Sequence, residues 1–257
     1  MKPAIGEIAY LQDSSLFRKI DDDGIEEIIN RSNSCQLKDG GYFFMEDDPA
    51  EAAYLLVEGK VKLTQVTLDG HQINLGYLVP GRVFGIIAAL KKVTYPVTAQ
   101  AVGESRALEW DQPTINQLMD RYPRIALNSL RIMAGQIRLF QNRVRDLSTK
   151  RVETRIARAV IRLARQSGKK VDEGVLIDLP LSRQDLAEMA GTTLYTASRV
   201  LSEWEKLEII QSKRQQIVIR YPHGLVKIAE DLPDSDDEDG VWQADDLCDF
   251  NPNKTDP

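Results

Sequence analysis

Cysteine and histidine are scarce: two of each stand among 257 residues. Cys35 and Cys248 lie too far apart in the chain to suggest a disulfide framework, which fits a reducing compartment. An iron–sulfur cluster, which needs about four thiolates, is excluded by count. No HxxxH or CxxC spacing occurs, and no metal site is expected. The chain also lacks a G-x-x-x-x-G-K phosphate loop and a G-x-S-x-G elbow. Its carboxylate group Asp47, Asp48 and Glu51 sits beside Pro49 and reads as a solvated turn. Catalysis is therefore not expected. No run of about 18 apolar residues is present, and MKPAIGEIAYLQ has no apolar signal core. The expected location is the cytoplasm, with no membrane partner.

What is present is enough for two domains. Hydrophobic residues make up 42% of the chain and mean hydropathy is −0.32, values of a globular protein. The net charge of −6 conceals an uneven distribution. Residues 1–112 hold 11 basic and 17 acidic side chains, residues 113–229 hold 21 and 11, and residues 230–257 hold 1 and 11. Screening limits exposed charges to a reach of about 10 Å, so the middle region can bind phosphate while the average stays negative. For Arg155, Arg158, Arg162 and Arg165 taken singly, a solvated helix face is the competing reading.

The stretch LSRQDLAEMAGTTLYTASRVLSEWEKLEII, residues 181–210, reads as two short helices joined by a tight turn. Ser182 can cap the first helix, Gly191 marks the turn, and Thr193 can cap the second. Leu186, Ala187 and Met189, then Val200, Leu201, Trp204 and Leu207, keep helical spacing for an inward face. Tyr195, Thr196, Ser198 and Arg199 form an opposite polar face suited to base edges and phosphates. The sequence QSKRQQIVIRY follows, with Lys213 and Arg214 at the tip of a hairpin. Helix, turn, helix and basic hairpin together describe a winged helix-turn-helix, whose second helix enters the DNA major groove. An ordinary helical hairpin is the plainer alternative for the helix pair alone.

Residues 42–110 alternate short β-rich runs with turn signals: YFF, YLLV before Glu58-Gly59, VKLTQV before Asp69-Gly70, INLGYLV before Pro80-Gly81, then VTAQAV and RALEW. Six or more short strands this close favour a jelly roll or barrel. LFRKIDDDGIEEIINRS before them reads as a pair of short helices. After Pro123, Leu130, Met133, Ile137, Phe140, Val144 and Leu147 recur at alternating spacings of three and four. That is a heptad seam, expected to pair two copies in a parallel coiled coil, with a single amphipathic helix as the alternative. Two recognition helices would then sit roughly 34 Å apart and read a palindromic operator.

The segment 181–210 resembles, without gaps, the helix-turn-helix of the Crp/Fnr transcription regulators. The matching residues are Ser182-Arg183-Gln184-Asp185, Ala190-Gly191, Thr196 and Ser198-Arg199. The likeness extends to the order of parts from about residue 10 to residue 225. It implies an α+β chain: a β-roll effector domain of the cyclic-nucleotide-binding type over 1–112, a linker and dimerisation helix over 113–147, and a winged helix-turn-helix over 148–225. Beyond the likeness, residues 226–257 are expected from their acidic, proline-containing composition to form a disordered tail. The likeness further implies phosphate contacts at Arg183 and Thr193, base reading at Ser198 and Arg199, and a contact with RNA polymerase. Arg199 suits guanine, because its planar fork can meet O6 and N7 together. Tyr195 departs from the family, most members of which place a glutamate there, so the usual half-site cannot be assumed.

The effector region departs too. Family members that bind cyclic AMP use a glutamate after the Phe/Leu-Gly step and a later Arg-Ser pair. Here those places hold Phe84-Gly85-Ile86 and Tyr95-Pro96-Val97-Thr98. A cyclic phosphate there would lack its counter-charge, at a cost of several kcal/mol. Phe84, Gly85, Ile86, Tyr95, Val97 and Thr98 are the expected effector-pocket positions, for a small molecule the sequence does not identify. The chain is expected to carry no cofactor. Two alternatives stay open: a haem- or redox-dependent sensor of the same family through His71 or Cys35, or a β-roll that docks on protein rather than DNA. In the tail, Trp242, Leu247 and Phe250 among acids raise the idea that it competes with DNA for the basic region, against a plain solubilising role.

Overall fold

A computed structural model describes residues 10–12, 14–90 and 92–230. The chain divides into two compact units, Met1–Phe140 and Gln141–Pro257. No helix among the described residues is long and apolar enough to cross a membrane.

In the first unit residues 10–12 are helical, and α1 (Asp22–Asn30) is capped by the Asp21 carboxylate on the Gly24 N–H at 2.9 Å. The segment before it, Ser14–Lys19, is a series of turns, so the expected helix pair is one helix. A six-stranded antiparallel sheet follows: β1 (Asn33–Leu37), β2 (Tyr42–Phe44), β3 (Ala52–Val66), β4 (Gln72–Leu78), β5 (Val83–Phe84) and β6 (Thr98–Asp111). Strand order is β1-β6-β3-β4, with β2 on β6 and β5 on β3. The sequence suggests more and shorter strands, with a turn at Glu58-Gly59. Instead β3 and β6 are single long strands paired from Ala52↔Asp111 to Thr64↔Thr98.

Gly59 sits inside β3 with φ +82°, where a Cβ would lie 2.4 Å from the Glu104 carbonyl oxygen. Opposite it the register jumps from Arg106 to Val102. The glycine serves a bulge, which bends a strand where a turn would end it. Ser105 repairs the break: its hydroxyl accepts from the Lys60 N–H at 3.2 Å and donates to the Lys60 carbonyl at 3.0 Å. Asp69-Gly70, by contrast, is the expected hairpin, closed by the Thr67 N–H on the His71 carbonyl at 2.9 Å.

Two apolar clusters fill this unit. One joins α1 to α2 (Gln112–Arg121) and the start of α3 (Pro123–Thr149) through Phe17, Ile25, Ile28, Trp110, Ile115 and Ile125. Within it Trp110 donates from Nε1 to the Ile28 carbonyl at 2.8 Å. The other is aromatic: Phe43, Phe44, Tyr54, Phe84 and Tyr95.

The second unit packs α4 (Val152–Ser167), α5 (Arg183–Ala190), α6 (Leu194–Lys206) and α7 (Pro222–Glu230) with a four-stranded sheet in the order β7-β8-β10-β9. Those strands are β7 (Gly168–Val171), β8 (Gly174–Ile177), β9 (Ile210–Lys213) and β10 (Gln216–Ile219). Ile156, Val160 and Leu163 put one stripe of α4 into the core, as helical period requires. The C-terminal helix α7 runs to Glu230, and Arg158 donates from Nε to the Ala229 carbonyl at 2.8 Å. Residues 226–230 therefore belong to this unit, and the tail beyond them, with Cys248, lies outside the described residues.

Candidate DNA-binding site

The helix-turn-helix is set by its local signals. Ser182 and Asp185 form a reciprocal capping box: the Asp185 N–H donates to Ser182 Oγ at 3.0 Å, and the Ser182 N–H to Asp185 Oδ2 at 2.9 Å. Gly191 ends α5 in the left-handed region at φ +61°, as the sequence requires. The Thr193 hydroxyl accepts from the Thr196 N–H at 3.2 Å and starts α6. Leu186, Ala187, Met189, Val200, Leu201 and Trp204 are buried. Leu207, expected to join them, follows the last turn of α6 and is exposed. Trp204 donates from Nε1 to the Glu153 carboxylate at 2.9 Å, which ties α6 to α4.

Two arginines hold the carbonyl end of α5. Arg143 donates to the Glu188 and Met189 carbonyls at 3.3 and 3.1 Å. Arg155 donates to Ala190 at 2.8 Å and Gly191 at 3.1 Å. Cations at a helix C-terminus complement its dipole. Burial lowers the Arg143 pKa from its ordinary value. Arg158 pairs with Asp146 at 2.5 Å. Of the four arginines in α4, Arg155 and Arg158 are therefore structural ties. The sequence contains no signal of this, because their partners are backbone carbonyls and a carboxylate brought in by the fold.

The residues expected to meet DNA fall into two groups. Tyr195 and Arg199 rise one turn apart on the outward side of α6, with Thr196 and Ser198 half-buried between them. Lys213 and Arg214 stand exposed at the β9–β10 turn. Among the described residues, no hydrogen bond or ion pair holds the side chains of Arg199, Lys213 or Arg214. Arg183 differs. Its guanidinium donates to the Ser198 carbonyl, Ser202 Oγ and both Glu205 carboxylate oxygens, at 3.2 to 3.3 Å. It fastens α5 to α6, which a reading of isolated positions does not reveal. A groove of about 230 Å³ lies between the wing and the start of α5, lined by Ser182, Arg183, Ser212, Lys213 and Gln215 among others.

On α3 the six seam side chains are 40–68% exposed in the single chain. Leu147 also faces Gly191: a Cβ on that glycine would lie 2.6 Å from Leu147 Cδ2. Leu139, outside the heptad positions, adds 56% exposed apolar surface beside them.

The effector positions separate. Phe84 and Tyr95 are buried in the aromatic cluster. Tyr95 stacks on Phe44 with centroids 3.7 Å apart and planes 10° apart. Its hydroxyl donates to the Ala52 carbonyl at 2.7 Å and accepts from the Ala52 N–H at 3.0 Å. Gly85, Ile86, Val97 and Thr98 are half-buried, and Thr98 Oγ1 accepts from the Glu46 N–H at 2.9 Å.

His71 is exposed in its hairpin beside Asp69. His223 stands in the first turn of α7, half-buried. Burial, then the nearby Glu109 carboxylate, push the Cys35 thiol pKa up, away from a reactive thiolate. No group of three or more His, Cys, Asp or Glu able to hold a metal occurs among the described residues.

Comparison with known proteins agrees with this geometry at both ends of the chain. Residues 34–122 match the cyclic nucleotide-binding domain, and residues 154–228 match the Crp-like helix-turn-helix domain. The transcriptional activator protein anr of Pseudomonas aeruginosa is 25% identical over 199 residues, covering 77% of this chain and 80% of that protein. The global nitrogen regulator of Synechococcus elongatus is 28% identical over 192 residues, covering 74% and 86%. The structure of FixK2 from Bradyrhizobium japonicum superposes with a TM-score of 0.67 at 25% identity, over 77% of this chain and 96% of that one. A β-roll of one model, a winged helix of the other, and relatives that span both in the same order leave one assignment: the chain belongs to the Crp/Fnr family of DNA-binding transcription regulators.

Proposed function

We propose that the chain works as a homodimer on a palindromic promoter site, in the cytoplasm and without a catalytic role. The observation that carries this reading is the apolar seam of α3. Leu130, Met133, Ile137, Phe140, Val144 and Leu147 leave a continuous heptad row in water in the single chain. Such a row is stabilised by a second copy, which buries knobs against holes. Two-fold pairing sets two α6 helices on one face of the duplex, one helical turn apart.

In this reading Arg199, Tyr195, Ser198 and Thr196 meet base edges, while Thr193, Lys213 and Arg214 meet phosphates. Arg183 reaches phosphate by exchanging its Glu205 partner. The β-roll carries no cyclic-AMP ligand set, since isoleucine and tyrosine stand at the places of the carboxylate and the basic pair. RNA polymerase is the further protein partner. Sedimentation equilibrium of the full chain, alone and with palindromic or half-site duplex, tests the proposal. A dimer that prefers the palindrome is expected; a monomer bound equally to either duplex refutes it.

A further inference from the structure

Recognition helix α6 opens on two exposed side chains with large apolar surface, a leucine and the ring of a tyrosine. Leu194 is 48% and Tyr195 78% exposed, directly after the Thr193 cap. Helix N-terminal residues are those that approach base edges in a major-groove reader. Arg199 follows Tyr195 by four residues and rises from the same face. Among the described residues the Tyr195 hydroxyl has no partner, so no hydrogen bond within them holds the ring back.

A ring left in water this way gains free energy from an apolar cover. The major groove offers one apolar feature, the C5-methyl group of thymine. The phenol oxygen can either donate or accept, so it tolerates the neighbouring O4, N7 or N6 groups. A carboxylate at the same place would accept only, and would be repelled by the flanking phosphates. We infer that Tyr195, flanked by Leu194, is a thymine-reading element: its ring packs on the C5-methyl of one T·A pair in each half-site, next to the guanine read by Arg199. The inference rests on the DNA-binding reading and adds a base identity to it.

The test uses the full-length chain and a pool of duplexes with randomised half-sites. Wild-type protein should enrich thymine at one position per half-site. Replacing that thymine by uracil, which removes the methyl alone, should weaken binding about fourfold, the factor for uncovering one such group. Tyr195→Phe should keep the thymine preference, and Tyr195→Glu should move it to cytosine. Equal affinity for thymine and uracil would overturn the inference, as would an unchanged preference in Tyr195→Ala with an intact far-ultraviolet spectrum. Failure of wild-type protein to enrich any sequence would instead remove the DNA-binding reading beneath it, and the inference with it.

Discussion

Arg183 and Glu205, 22 residues apart, bring guanidinium and carboxylate to 3.2 Å and so tie the start of α5 to the end of α6. Both side chains are about one-third exposed, so the pair adds little to stability, under about 1 kcal/mol. Its weight is on function. Glu205→Gln should spare Arg183 the exchange of partners and tighten binding to random duplex, with the slope of log affinity against log salt unchanged because the phosphate contact is made by both proteins. Titrations at two salt concentrations by fluorescence anisotropy check this.

Among the described residues Arg199 has no hydrogen-bond or ion-pair partner to lose, so its removal reports on DNA. Arg199→Ala should cost about 1–3 kcal/mol of specific binding and relax the preference at a single G·C pair. Lys213→Ala and Arg214→Ala should weaken all sequences alike and each flatten the salt slope by about 1. Competition assays with point-mutated operators separate the two behaviours.

Ile137 and Phe140 lie at the middle of the α3 seam and are 58% and 68% exposed. Exchange of both for aspartate should yield monomers with unchanged helix content that fail to hold a palindromic duplex. Analytical ultracentrifugation and gel shift read the two effects together.

Tyr95 binds the aromatic cluster to the backbone of β3. Tyr95→Phe keeps the stack on Phe44 and loses both bonds to Ala52, leaving buried backbone groups unmet at about 1–3 kcal/mol. Tyr95→Ala also opens a void and should cost about 3–5 kcal/mol. Urea unfolding followed by tryptophan fluorescence should rank wild type above Phe above Ala.

Asp111 caps α2, and its hydrogen bonds from Thr114, side chain first and then backbone, hold its carboxyl below the usual aspartate value. A depressed folded pKa contributes stability above the unfolded value, which is lost as pH falls through the folded one. Asp111→Asn should therefore flatten the acid limb of the stability profile and leave the neutral region with a smaller, constant loss. Thermal melts between pH 2 and pH 7, on the order of the range where carboxylates titrate, measure it.

The helix-turn-helix was legible residue by residue because each of its boundaries has a local cause: Ser182, Gly191 and Thr193 fix ends within three or four residues of themselves. The sheet was less so. Gly59 and Gly103 adopt positive φ, which a turn and a bulge demand equally, and sequence alone does not separate the two. Strand β1 (NSCQL) lacks the β-branched run that marks a strand and forms by pairing with β6. The β7–β8 hairpin escaped for a similar reason, its register with β10 being set 40 residues downstream. Within the site, exposure of Tyr195 and Arg199 followed from helical spacing, whereas the engagement of Arg183 depended on Glu205. The carbonyl clamp of Arg143 and Arg155 likewise depended on the fold.

That clamp makes the last turns of α3 a crank. Arg143 grips two carbonyls of α5, and Leu147, one turn further, abuts the corner at Gly191. Bonds from a charged donor are worth about 1.5–3 kcal/mol each, so twisting this stretch of α3 about its axis breaks them or carries the corner along. Carrying it is the cheaper course, so the stretch from Arg143 to Leu147 and the corner at Gly191 turn as one piece.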